Sequence, residues 1–171
     1  MFARTIRLAG AAAVLLATHA GLTHAQAATA KPAKLTWGPV PPVLPAGAKM
    51  AVVSGDPSKA GPFTIDLAFP NGYRIPPHFH PTTEDVTVKS GTLLFGMGDK
   101  QDVKAMKPMK TGEKGSIAPN MHHFVKAKGK TTVEVSSTGP FVITYVNPSE
   151  DPQKSVALKN GAKKSSAKKK S

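Results

Sequence analysis

Cysteine is absent from this chain of 171 residues, which excludes disulfides, thiolate metal ligands and cysteine nucleophiles. Any metal ion must therefore be held by nitrogen and oxygen atoms. Long hydrophobic runs are missing as well, because the apolar stretch of residues 8–17 is too short to span a bilayer. Acidic residues are few, with 10 Asp and Glu against 23 Lys and Arg. The hydrophobic content of 40% is enough for one domain with a single core.

The N-terminal residues have the pattern of a secretory signal peptide. Two arginines precede the apolar stretch, and small residues follow it. We predict that residues 1–25 are a signal peptide cleaved after Ala25, with Ala27 and Ala30 as the other candidate cleavage positions. A retained anchor or an amphipathic helix is the alternative. The mature protein is expected to be soluble and either periplasmic or secreted.

Positive charge is concentrated near the C-terminus. Six lysines lie in residues 159–171, and without them and the two arginines of the signal peptide the formal charge falls from +13 to +5. We predict a disordered, lysine-rich tail over residues 151–171, because such a segment cannot bury enough apolar surface to order itself. The tail either aids solubility or contacts anionic surfaces. No specific nucleic-acid binding is expected, because no aromatic residue is interleaved with the lysines for base stacking.

Proline and glycine divide the middle of the chain into short segments. The stretch WGPVPPVLPAG (37–47) excludes a helix and predicts an extended, proline-rich N-terminal arm over residues 26–49, running along the surface. Residues 50–150 alternate apolar and polar residues between turn signals, which is typical of an all-β sandwich or barrel. Only one segment, residues 101–114, could hold a helical turn, and Pro108 limits the length of that turn. Two sets of residues each share one strand face: Phe63, Ile65, Leu67 and Phe69, and Phe141, Ile143 and Tyr145.

The stretch GYRIPPHFHPTTEDVTVKSG, residues 72–91, places three ligand-type side chains in strand-like sequence. His78 and His80 are two residues apart, so they project from the same face of a strand. After a turn at residues 81–83, Glu84 can face the same interior from the next strand. Two imidazoles and a carboxylate suit iron(II), manganese(II), nickel(II), cobalt(II), copper(II) or zinc.

The spacing of this stretch resembles the first signature of the cupin superfamily. Five residues separate Gly72 from His78, one separates His78 from His80, three separate His80 from Glu84, and six separate Glu84 from Gly91. Cupins are double-stranded β-helical, or jelly-roll, barrels, which agrees with the strand pattern. Within this superfamily the chain resembles small exported single-domain bacterial cupins. The resemblance implies that the two histidines and the glutamate bind one metal ion together with a histidine from a second motif.

The second cupin motif is matched only in part. Counted from Gly112, its glycine and histidine positions fall on Asn120 and His123, while its proline is shifted by one position, to Pro119. Asn120 can adopt the left-handed backbone conformation that glycine usually supplies. The resemblance therefore implies His123 as the fourth ligand. His122, on the opposite face of a strand, is the second choice.

The interior around these ligands is expected to be mostly apolar. Arg74, the only arginine after the signal peptide, shares strand parity with His78 and is a candidate for holding a substrate anion. A surface arginine is the alternative, because Pro76 and Pro77 can break the alternation. Seven further residues are candidates for lining the pocket, although a place in the barrel core is the simpler interpretation for all of them. They are Val88, Leu93, Phe95, Met97, Val125, Val135 and Tyr145.

Four protein ligands leave two positions on an octahedral ion, enough for dioxygen or a bidentate substrate. Iron or manganese is the expected metal. The resemblance to cupins implies dioxygenation, oxalate decarboxylation or oxidation, isomerisation, or no reaction, and an apolar interior favours a metal-dependent dioxygenase with a small-molecule substrate. The alternatives are a non-catalytic metal- or ligand-binding cupin of the cell envelope and a structural envelope protein. A homodimer joined through the arm at Trp37–Gly47 is also expected.

Overall fold

The structure, a computed structural model, describes residues 34–154, so the predicted signal peptide lies outside the described residues. In this range there is no helix long and apolar enough to cross a membrane. Strands dominate the described secondary structure, and a short 3-10 helix follows them at Pro148–Glu150. The strands are β1 (Gly38–Pro39), β2 (Lys49–Ser54), β3 (Gly61–Phe69), β4 (Arg74–Phe79), β5 (Glu84–Met97), β6 (Lys107–Lys110), β7 (Lys114–Ile117), β8 (His123–Gly139) and β9 (Thr144–Tyr145).

Two long strands, β5 and β8, organise the barrel. They run antiparallel, so that the first half of β5 pairs with the second half of β8, and the second half of β5 with the first half of β8. One half of the structure has the order β1-β2-β3-β8-β5-β7, and the other has the order β9-β4-β8-β5-β6. Every pairing is antiparallel. This arrangement confirms the predicted all-β, double-stranded β-helical barrel.

The bend in β5 depends on a glycine. The pairing register shifts around Ser90, and Gly91 has a φ of +81°. A Cβ at Gly91 would lie 2.3 Å from the carbonyl oxygen of Lys130, so both the backbone conformation and the space require glycine. Glycine is a turn signal in the sequence pattern, but the structure continues β5 through Gly91 as one bent strand that serves both halves of the barrel.

The core lies between the two halves. Phe63, Ile65, Leu67 and Phe69 of β3 are all buried, which confirms their predicted shared face. In the same half of the structure, two strands away, Val88 of β5 is completely buried. This apolar filling accounts for the stability of the barrel without disulfides, because hydrophobic burial is the dominant favourable term in folding.

The N-terminal arm packs into the barrel instead of running only along the surface, which corrects the prediction. Leu44 and Ala48 are buried in the core cluster. Two tyrosines of the barrel hold the arm by its backbone: the hydroxyl of Tyr73 donates to the carbonyl of Pro45, and that of Tyr145 donates to the carbonyl of Val43 over 2.8 Å. The arm therefore forms part of the wall of the domain.

Two further segments differ from the sequence pattern. Residues 101–114 contain strand β6 in place of a helical turn, and Pro108 is tolerated there because β6 pairs with β5 alone. At the start of the predicted tail, residues 152–154 form a helical turn, while residues 155–171 lie outside the described residues.

Candidate metal centre

Four side chains converge inside the barrel from three strands. His78 lies in β4 and His80 directly follows it, while Glu84 and His123 are the first residues of β5 and β8. The antiparallel register places His78 opposite His123. All four are buried, with at most 8% of each residue exposed. The structure thus brings together every residue that the two motifs indicate as a ligand.

The three histidines present equivalent nitrogens to one point. A ring nitrogen from each lies within 4.8 Å of the other two. The Nδ1 atoms lie 2.7 Å, 2.8 Å and 3.0 Å from the carbonyl oxygens of Pro76, Val142 and Met121, for His78, His80 and His123 respectively. A carbonyl oxygen can only accept, so each Nδ1 carries the hydrogen and each Nε2 carries a lone pair. Metal-binding histidines are oriented by their second nitrogen in this way.

Glu84 completes the set. Its Oε2 lies 3.1 Å from Nε2 of His123 and 3.6 Å from Nε2 of His80. Nδ1 of His123 faces the carbonyl of Met121, so Nε2 is the nitrogen that His123 turns toward the carboxyl group of Glu84. Nε2 of His80 is buried and has no hydrogen-bond partner. A divalent metal ion fits this set of three nitrogens and one carboxyl group, since it would satisfy the unpartnered nitrogen of His80 and bind the other donors at the same point.

Burial favours the metal-binding form of two of the histidines. The pKa of His78 lies well below the ordinary value of 6.5, chiefly because the side chain is desolvated, and the nearby His123 and His80 lower it further. The pKa of His80 is also lowered by burial, against the opposing effect of the Glu84 carboxylate. Burial therefore favours the neutral form of these two imidazoles, which is the form that binds a metal ion.

Aromatic rings hold two of the imidazoles from the side. Phe141 stacks on His80 with ring centroids 4.4 Å apart and planes 15° apart. Phe95 stacks on His123 with centroids 5.7 Å apart and planes 17° apart. Each ring is thus restrained by a hydrogen bond at one edge and by an apolar face, which limits its rotation about χ2.

His122 and Asn120 lie where the motif comparison expects them. His122 faces away from the cluster, where its Nδ1 lies 2.6 Å from Oδ1 of Asp99 and its ring stacks on Phe79. Asn120 has a φ of 61°, the left-handed conformation. Its N–H donates to the carbonyl of His80 over 2.7 Å, so the turn before His123 is tied to the hairpin that carries the other ligands.

Arg74 is not brought to the site. It is exposed, while its neighbour Ile75 is buried and lines the cavity beside His78. The pairing of β4 with β8 shifts register between Ile75 and His78, at the two prolines, and this reverses the alternation. The predicted shared face of Arg74 and His78 is therefore corrected, and the substrate-binding role of Arg74 stays a prediction without support from the geometry.

The predicted lining residues divide into three groups. Leu93, Phe95, Val125 and Val135 line a small inner cavity beside His78 and His123. Val88 and Tyr145 are buried in the core. Met97 is 47% exposed, which corrects its assignment to the interior. It is the last residue of β5, and the chain turns outward at Gly98, whose φ is +103°.

A larger cavity of about 230 Å³ lies over the histidines, and sequence reasoning missed two of its walls. The arm supplies Pro41, Val43 and Leu44, and the segment after β8 supplies Phe141 and Ile143. The apolar residues between the prolines of the arm could have predicted this contact, because a segment that lies only on the surface does not need them. Glu84 is the one charged side chain among the described residues of this wall, apart from any charge on the histidines.

Comparisons with known proteins identify the fold. No protein-family model and no curated protein sequence matches the chain. Among solved structures, a putative acetylacetone dioxygenase from Methylibium petroleiphilum PM1 is 18% identical with a TM-score of 0.54, over 69% of this chain and 79% of that one. The polyketide cyclase RemF from Streptomyces resistomycificus is 17% identical with a TM-score of 0.52, over 61% and 75%. An RmlC-like cupin from Shewanella frigidimarina NCIMB 400 is 14% identical with a TM-score of 0.45, over 54% and 76%.

Proposed function

We propose that this protein, which has the fold of the cupin superfamily, binds one iron(II) or manganese(II) ion and uses it in the oxygen-dependent conversion of a small organic molecule. The ligands are His78, His80, Glu84 and His123. The convergence of the three histidines carries the proposal, because a ring nitrogen of each lies within 4.8 Å of the other two, and Oε2 of Glu84 lies 3.1 Å from Nε2 of His123. The signal-like N-terminal sequence supports action in the periplasm or outside the cell.

A metal ion held there would supply Lewis acidity and coordination positions for dioxygen or for a substrate oxygen. The residues of the chain have separate tasks. Three backbone carbonyls hold the imidazoles in one tautomer, and Glu84 would balance part of the positive charge of the metal ion. The apolar cavity excludes water from the reacting groups, which strengthens electrostatic interactions inside it.

Metal analysis of the purified protein tests the site. We expect about one equivalent of iron or manganese in the wild type, and loss of that metal in His78→Ala and in His123→Ala. The matched control is His122→Ala, which removes an adjacent histidine that faces away from the cluster. A wild-type protein without metal, or equal metal loss in the control, would contradict the assignment.

Oxygen consumption tests the reaction. Acetylacetone is the first compound to try, because one of the proteins with the same fold is named a putative acetylacetone dioxygenase. We expect metal-loaded wild type to consume oxygen with a substrate of this kind and His123→Ala to lose that activity.

A metal- or ligand-binding protein without turnover is the second candidate. It is favoured by the wall of the described cavity, where the metal ligands themselves are the only ionisable side chains. A reaction that needs a separate general acid would find none there. Metal binding without oxygen consumption across a panel of apolar substrates would select this candidate.

A further inference from the structure

We propose that the cavity over the histidines binds an uncharged, mostly apolar small molecule, and that Val43 and Leu44 of the N-terminal arm form the wall that selects it. The proposal deepens the proposed function and rests on it in one respect, since the metal ion would hold the polar end of the ligand. None of the apolar side chains that line the cavity is a metal ligand.

The composition of the wall defines the class of ligand. Ten of the fourteen residues that line the cavity are apolar, and among the described residues no lysine or arginine reaches it. An anionic ligand would lose its hydration without gaining a cationic side chain, and the Glu84 carboxylate would repel it. Ser58 is the only hydroxyl in the wall, so a polyhydroxylated ligand would leave most of its hydrogen bonds unmade.

The arm is a fixed part of this wall. Leu44 is 7% exposed, and its N–H donates to the carbonyl of Pro41 over 2.9 Å in a tight turn. The hydroxyls of Tyr73 and Tyr145 hold the carbonyls on either side of Leu44. Because the arm contributes side chains to the cavity and no metal ligand, substitutions in it change ligand fit while the ligand set for the metal stays intact.

Two fluorescent probes that share one ring system test the proposal on chelator-dialysed protein. N-phenyl-1-naphthylamine is neutral, and 1-anilinonaphthalene-8-sulfonate carries an added negative charge. We expect the neutral probe to bind wild type saturably at one site, at least tenfold more tightly than the anionic probe. In Val43→Lys, affinity for the neutral probe should fall at least tenfold, and the preference between the two probes should reverse. Val103→Lys, the same change at an exposed valine outside the cavity wall, should behave as wild type.

A second variant guards against misfolding. Val43→Thr keeps the shape of valine and replaces one methyl group by a hydroxyl. It should weaken binding of the neutral probe three- to tenfold while its circular dichroism spectrum matches that of wild type. Non-saturable probe binding, unchanged affinity in both Val43 variants, or an equal loss in Val103→Lys overturns the proposal. The assay contains no metal, so its outcome is independent of metal analysis: probe binding without native metal would overturn the proposed function alone, and native metal without probe binding would overturn this proposal alone.

Discussion

The ring of Phe141 lies flat against the imidazole of His80, with centroids 4.4 Å apart, while the next carbonyl in the chain, that of Val142, accepts the hydrogen of the same imidazole over 2.8 Å. Two consecutive residues therefore fix both the tilt and the tautomer of one ligand. Phe141 is in turn held edge-on by Phe63, at a centroid distance of 5.1 Å. The segment after β8 thus acts as a support for the metal site from outside the two cupin motifs.

Phe141→Leu should weaken metal binding through His80. Loss of the stacked ring frees the imidazole to rotate, and loss of such supporting contacts typically costs about 10- to 100-fold in metal affinity. The measurement is a competition titration with a chromophoric chelator. Phe69→Leu is the matched control, because Phe69 stacks on Tyr73 and not on a histidine. Equal affinity in the two variants would show that the ring has no positioning role.

Glu84→Gln should separate metal affinity from stability. Glu84 is a buried acidic side chain whose Oε2 faces Nε2 of His80 and of His123. Its neutral isostere should leave the free energy of unfolding of the metal-free protein unchanged or raise it by about 1 kcal/mol. Metal affinity should fall at least about tenfold, because an anionic ligand becomes a neutral one. Chemical denaturation with and without metal gives both quantities. A large loss of stability in the metal-free variant would instead assign Glu84 a structural role.

Gly91→Ala should be much more destabilising than Gly129→Ala. Both glycines have left-handed backbones, with φ of +81° and +78°, and alanine in that conformation costs about 1–2 kcal/mol. At Gly129 no atom lies within 4 Å of the added Cβ, whereas at Gly91 the Lys130 carbonyl oxygen lies 2.3 Å away. We expect about 1–2 kcal/mol for Gly129→Ala and more than about 3 kcal/mol for Gly91→Ala, from urea unfolding. Similar values would mean that the bend in β5 can relax.

Stability should fall at alkaline pH through the tyrosines that hold the arm. Burial raises the pKa of Tyr73 and of Tyr145 above the ordinary value of 10.0. Because the folded pKa is the higher one, the stabilisation is complete below pH 10 and is lost as the pH rises toward the folded value. The chain has two tyrosines, so tyrosinate absorbance during a pH titration reports on these two side chains.

Tyr73→Phe supplies the control for this pH dependence. It should lower stability at pH 7 by about 0.5–1.5 kcal/mol, since the Pro45 carbonyl loses its donor. Its stability should also depend less steeply on pH above 10 than that of wild type. Tyrosinate absorbance that appears near pH 10 in folded wild type would show that the arm does not shield the hydroxyl.

The sequence determined the fold class and the candidate ligands, for a local physical reason. Period-two alternation decides which side chains share a face within one strand, and this correctly grouped Phe63 with Phe69 and separated His122 from His123. The resemblance to the cupin motifs added the expectation that two hairpins, distant in sequence, contribute ligands to one site. The left-handed conformation of Asn120 followed from its residue type at the glycine position of the motif.

Only the tertiary structure decided the surroundings of the site, because they depend on contacts between distant segments. The register shift at Pro76 and Pro77 turned Arg74 outward. The pairing of β5 with β8 on both sides of Gly91 made one bent strand at a glycine that the sequence pattern alone would read as a turn. The arm lines the cavity because the hydroxyls of Tyr73 and Tyr145, which are distant from the arm in sequence, donate hydrogen bonds to its carbonyls. Alternation within a strand carries no information about which segment will cover its buried face, so the apolar wall over the histidines appeared only when the chain was folded.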